Sequence, residues 1–137
     1  MKTIVVGYDD SPAAKRALER AVELAQAFGS QVIVTSVAPV AVSPGRTEGA
    51  IDPTDPPSEH AAELKAAGEQ LAAAGVQAEL VPAVGHPAET ITELAEQRGA
   101  DLIVVGTREL GVLQRLLGQS VSEGVLHRAD CDVLIVH

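Results

Sequence analysis

The clearest candidate for chemistry in this 137-residue chain lies between Asp101 and Glu123, DLIVVGTRELGVLQRLLGQSVSE. Leu102, Ile103, Val104 and Val105 form a short, continuously apolar, β-branched run, the pattern of a parallel strand covered on both faces. Gly106 breaks it. After the apolar positions Val112, Leu113, Leu116 and Leu117, Ser120 stands three residues before Glu123, a capping box that opens a helix near Val121. A helix N-terminus presents unpaired N–H groups and about half a positive charge. A strand end and a helix start placed together can therefore hold an anion such as a phosphate. A second polar group, Asp9-Asp10-Ser11-Pro12, follows the first apolar run, and its two carboxylates also suit a helix N-terminus.

Other chemistries fit poorly. The net charge of −9 and the absence of a basic run argue against nucleic acid, whose affinity rests on phosphate neutralisation. Aromatic residues make up 1% of the chain, Tyr8 and Phe28, too few for base-stacking platforms. The single Cys131 excludes an intramolecular disulfide and any multi-cysteine metal cluster, and it reads as a small packing residue. His60, His86, His127 and His137 show no ligand spacing and read as surface or helix-end residues, so no metal is expected. No nucleophile, base and orienting group stand at recognisable spacing, which argues against an enzyme. A phosphorelay receiver is mimicked by Asp9-Asp10. It would need an Asp after the third strand, where Pro82-Ala83-Val84 stands, and a Lys after the fifth, but no lysine follows Lys65.

The elements that must position these groups alternate regularly. Thr3 to Tyr8 is a strand, apolar on both faces. Ser11 and Pro12 start a helix carrying Ala14, Ala17, Leu18, Ala21, Leu24, Ala25 and Phe28, ended by Gly29. Gln31 to Val37 is a second strand. From Ala38 to Pro57 the composition turns to Pro, Gly, Ser, Thr and Asp, which predicts a poorly ordered loop. A helix from Ser58 carries Leu64, Ala67 and Leu71 and stops at Gly75. Val76 to Val81 alternates as a half-exposed strand at a sheet edge. Gly85-His86-Pro87 turns into a helix with Ile91, Leu94 and Ala95 inward, ending at Gly99. The strand and loop described first follow, then a helix to about Ala129 and a last strand, Val133 to Val136. The alternation predicts one α/β domain over residues 1–137, a doubly wound sheet with right-handed crossovers and about four helices. With 46% apolar residues the chain can bury a full core. The N-terminus, MKTIVVGYDD, reads as neither signal peptide nor membrane span, so a cytoplasmic protein with no membrane partner is expected.

Over nearly its whole length the chain resembles the universal stress protein (UspA) superfamily. Nucleotide-binding members carry G-x2-G-x9-G-[ST] after the fourth strand. Gly106 and Ser120 match its ends, while Glu109 and Gln119 replace its second and third glycines; Gly111 and Gly118 are out of register. The resemblance implies a five-stranded parallel sheet of order 3-2-1-4-5. Ligands of such sheets sit beyond the carboxyl ends of the strands where the order reverses. That brings Tyr8, Asp9 and Asp10 opposite Gly106 and Thr107. By resemblance, Gly7, Asp9 and Val37 match positions around adenine and ribose, with Asp9 accepting from ribose hydroxyls. Gly106, Ser120, Val121 and Ser122 match the phosphate and ribose loop.

Glu109 weighs against ATP: at an effective dielectric of 20, a like charge near 4 Å costs about 4 kcal/mol before screening. It could instead point to solvent, or a divalent cation such as magnesium could bridge it to the phosphates. Gln119 adds a Cβ where a glycine leaves room. The resemblance thus implies a dimeric stress or regulatory module with impaired nucleotide binding. The alternative is a non-catalytic sensor of ATP or AMP. A homodimer is expected through the Val133–Val136 edge strand, along with a protein partner that the sequence does not name.

Overall fold

The computed structural model describes residues 1–9, 11–39, 57–107 and 121–137. Among the described residues nine elements alternate: β1 (Thr3–Gly7), α1 (Pro12–Phe28), β2 (Gln31–Pro39), α2 (Pro57–Ala73), β3 (Ala78–Gly85), α3 (Pro87–Gln97), β4 (Leu102–Gly106), α4 (Val121–Arg128) and β5 (Asp132–Val136). All four strand pairings are parallel and the order is β3-β2-β1-β4-β5. This is the doubly wound α/β sheet that the alternation of elements implies.

The continuous apolar runs are explained by what covers them. Along β1, Ile4 and Val6 face a core shared with Leu18 of α1 and Leu64 and Leu71 of α2, while Val5 faces Ile91 and Leu94 of α3 and Val125 of α4. Successive residues of a strand point to opposite faces, so a strand with helices on both sides has no polar face to show. Each such Ile or Leu contributes roughly 1.5–3 kcal/mol by leaving water.

Local signals fix the helix ends. Ser11 is extended (φ −69°, ψ 158°) and its Oγ accepts from the Ala14 N–H at 3.1 Å, with Pro12 at the first helical position. Gly29, in the left-handed region at φ +68°, closes α1 by donating its N–H to the Ala25 carbonyl. Phe28 departs from the stripe that its spacing suggested. It is 59% exposed at the last residue of α1, while Ala21 and Ala25 before it are buried.

The third strand is an edge, as its alternation implies, but it runs two residues later than the Val76 start read from the pattern. Leu80 and Val84 are exposed, Val81 and Ala83 pack inward, and Pro82 sits in the strand. A proline lacks the ladder donor and is tolerated where one side of a strand faces solvent. The second strand also outlasts its apolar run: Ala38 and Pro39 belong to β2, in register with Val84 and Gly85 of β3. The rest of the segment expected to be poorly ordered, 40–56, lies outside the described residues.

Candidate functional site

A cleft of about 650 Å³, counting the space open to solvent, lies at the carboxyl ends of β1, β2 and β4. It spans the junction of β1 and β4, where the strand order reverses. Gly7, Asp9, Val37, Gly106 and Val121 all line it. Asp9 is held at the rim, with its Oδ1 accepting from the Ser11 N–H at 3.1 Å.

The two glycines are there for packing reasons as well. A Cβ on Gly106 would lie 2.5 Å from the Ala13 carbonyl carbon and 2.8 Å from the Ala14 nitrogen, so the end of β4 passes directly over the first turn of α1. A Cβ on Gly7 would meet the Ile91 Cδ1 at 2.7 Å, a side-chain tip that can move. Close backbone approach thus explains Gly106 whether or not a phosphate visits.

The other residues singled out in the sequence divide between the cleft and its surroundings. Thr107 is tied to the neighbouring strand: its N–H donates to the Val136 carbonyl at 2.7 Å and its Oγ1 donates to the same oxygen at 3.3 Å. Ser122 is buried in the first turn of α4 and is not among the lining residues. Tyr8 is buried and lines the cleft. Asp10, Glu109, Gln119 and Ser120 lie outside the described residues. The start of α4 beside Gly106 gives that end of the cleft its positive helix dipole.

His60 stands in the first turn of α2, a helix-end position, but it is not at the surface. It is 6% exposed and lines the cleft at its β2 end. Its Nδ1 lies 2.5 Å from the Ser36 Oγ and 3.2 Å from the Glu63 Oε2, and the Ser36 hydroxyl donates to that same Oε2 at 3.2 Å. Ser36 is fully buried. Both oxygens crowd the same ring nitrogen, so this is not a nucleophile–base relay, which needs the two nitrogens to serve different partners.

The sequence carried a signal for this cluster. His60 precedes Leu64, Ala67 and Leu71 at spacings of four, seven and eleven, on the buried stripe of α2. Ser36 continues the buried face of Val32 and Val34 at a spacing of two. Two polar residues at core positions of adjacent elements are expected to meet, because a buried polar group needs a partner.

Cys131 is half-buried, and burial, with the charge of Asp132 adding to it, holds its thiol above the ordinary value. That suits a packing role. No helix among the described residues is long and apolar enough to cross a membrane.

Known proteins share this arrangement from end to end. The model of the universal stress protein family matches residues 1–137. The chain belongs to the universal stress protein family. A universal stress protein of Mycobacterium tuberculosis is 35% identical over 143 residues, covering 99% of this chain and 96% of its own. A universal stress protein solved in complex with cAMP superposes with a TM-score of 0.76 at 34% identity, covering 99% of this chain and 97% of that one. The universal stress protein of Archaeoglobus fulgidus in complex with dAMP gives a TM-score of 0.75 at 26% identity, over 100% and 98% of the two chains.

Proposed function

We infer that this universal stress protein is a non-catalytic regulatory module whose cleft takes an adenine nucleotide, with monophosphates favoured over ATP. The observation that carries this reading is the convergence of Gly7, Asp9, Val37, Gly106 and Val121 on one cleft at the strand-order reversal. Two universal stress proteins of the same fold were solved with cAMP and with dAMP, both monophosphates.

The preference against ATP comes from the phosphate loop. Each further phosphate extends a chain of negative charge toward a loop in which Glu109 and Gln119 replace two glycines, and like charges at short range repel. These same substitutions favour a second reading, an interaction module that has lost the nucleotide and acts through a protein partner. In either case the protein works as a homodimer joined through β5.

Calorimetry of the purified protein with cAMP, AMP and magnesium–ATP separates these. Micromolar binding of a monophosphate, with ATP weaker by about tenfold or more, is the expected result. Tightest binding to magnesium–ATP would overturn the preference, and no binding of any of the three would leave the interaction module.

A further inference from the structure

We propose that His60, fixed by Ser36 and Glu63, is a positioning residue that reads the base of the bound nucleotide and selects adenine over hypoxanthine. The inference rests on the nucleotide reading above and goes beyond it to the group that sets base identity.

The cleft is polarised. Its β4 end has the start of α4 and favours an anion, so a nucleotide anchored there by its phosphate directs its base toward the β2 end. The walls at that end are largely apolar, formed by Val37 and Ile91 with Thr35, whose hydroxyl is committed to the Val81 carbonyl at 2.8 Å. His60 lines the cleft there together with Tyr8, whose backbone N–H is tied to the Thr35 carbonyl of β2 at 2.9 Å.

The cluster behind the ring sets its hydrogen-bonding character. An ionised carboxylate can only accept, so Glu63 beside Nδ1 requires that nitrogen to carry a hydrogen, which it shares with the Ser36 oxygen. The Ser36 hydroxyl in turn donates to Glu63, and the three groups are mutually satisfied. In the neutral ring, Nε2 is then an acceptor. Whatever partner that nitrogen keeps without a ligand is exchanged for a donor on the base. Adenine brings a donor there in its exocyclic amine; hypoxanthine, with a carbonyl at the same carbon, brings an acceptor. Two acceptors facing each other in a desolvated cleft leave both unsatisfied, which is how a site built for one partner rejects the other.

The test is the ratio of AMP to IMP affinity, measured by calorimetry. Wild type should prefer AMP by about tenfold, and His60→Phe should lower AMP affinity about tenfold while leaving IMP unchanged, so that the preference disappears. His60→Gln, which keeps a polar group near the Nε2 position, should retain part of the preference. Should His60→Phe fail to fold, the imidazole resonances of wild type decide the matter: they should shift on AMP addition and saturate with the calorimetric Kd, and shift differently with IMP. A wild type that binds AMP with an unmoved His60 signal, or a folded His60→Phe with an unchanged ratio, would overturn the role of His60 alone. A wild type that binds neither nucleotide would overturn the nucleotide reading and this inference with it.

Discussion

The Ala13 carbonyl lies so close under Gly106 that a methyl group on the glycine would come within 2.6 Å of the Ala13 oxygen. Neither partner can yield easily, because one is a strand end and the other the first turn of a helix. Gly106→Ala should therefore destabilise the fold by about 3 kcal/mol, in the range of overpacking that moves backbone. Gly29→Ala meets no atom within 4 Å but keeps φ at +68°, and it should cost only about 1 kcal/mol. Urea unfolding of the two variants checks the order. Equal costs would mean that Gly106 serves the ligand rather than the packing.

Asp101 ties the start of β1 to β4. Its carboxylate accepts from the backbone N–H groups of Lys2 at 2.8 Å and Thr3 at 3.0 Å, and these bonds hold its pKa below the usual 3.8. A depressed folded value means that the stabilisation is present above the unfolded value and is lost as pH falls through 3.8 toward the folded one. The thermal midpoint of wild type should exceed that of Asp101→Asn at about pH 6, with the gap narrowing as pH falls below 3.8. A gap that stays constant across this range would assign the effect to shape rather than charge.

The outer strand β5 carries Val133, Leu134 and Ile135, all half-buried, with no lysine, proline or bulge to blunt the edge. Such an edge pairs readily, and a two-fold partner would satisfy it with the same strand. Sedimentation should show a dimer at micromolar concentration. Ile135→Lys should yield monomer or insoluble protein, and so should Leu134→Pro, which also removes a ladder donor. A wild-type monomer would rule the dimer out, as would an unchanged dimer in a soluble, folded variant.

Restoring glycine at both substituted loop positions, Glu109→Gly with Gln119→Gly, should raise magnesium–ATP affinity by about tenfold or more by removing the like charge. Calorimetry on the double variant reads this directly. No gain would mean that these two residues are not what disfavours ATP.

The strands and helix ends were legible because their signals are local. An apolar run, a Ser-Pro start and a terminal glycine each act within a few residues, so β1, β4 and α1 could be placed from sequence. Strand order was not legible in this way, since periodicity says which residues are buried but not which strand lies beside which; the resemblance carried it. Phe28 misled because spacing fixes a helical face but not where the neighbouring sheet ends. His60 shows the opposite case: as an isolated histidine it carries no signal, and only together with Ser36 on the preceding element does its place on the α2 stripe become meaningful.

The pairing of β1 on both sides has a consequence for synthesis. One neighbour, β2, begins soon after it, whereas Ile4 must wait for Leu102 to complete its other ladder. At elongation rates of about 5–20 residues per second, the central strand of the sheet spends roughly 5–20 s on the ribosome with one hydrogen-bonding edge open. Sequence changes that slow the docking of β4 would therefore appear first as loss of nascent chain to aggregation, before any change in the finished protein.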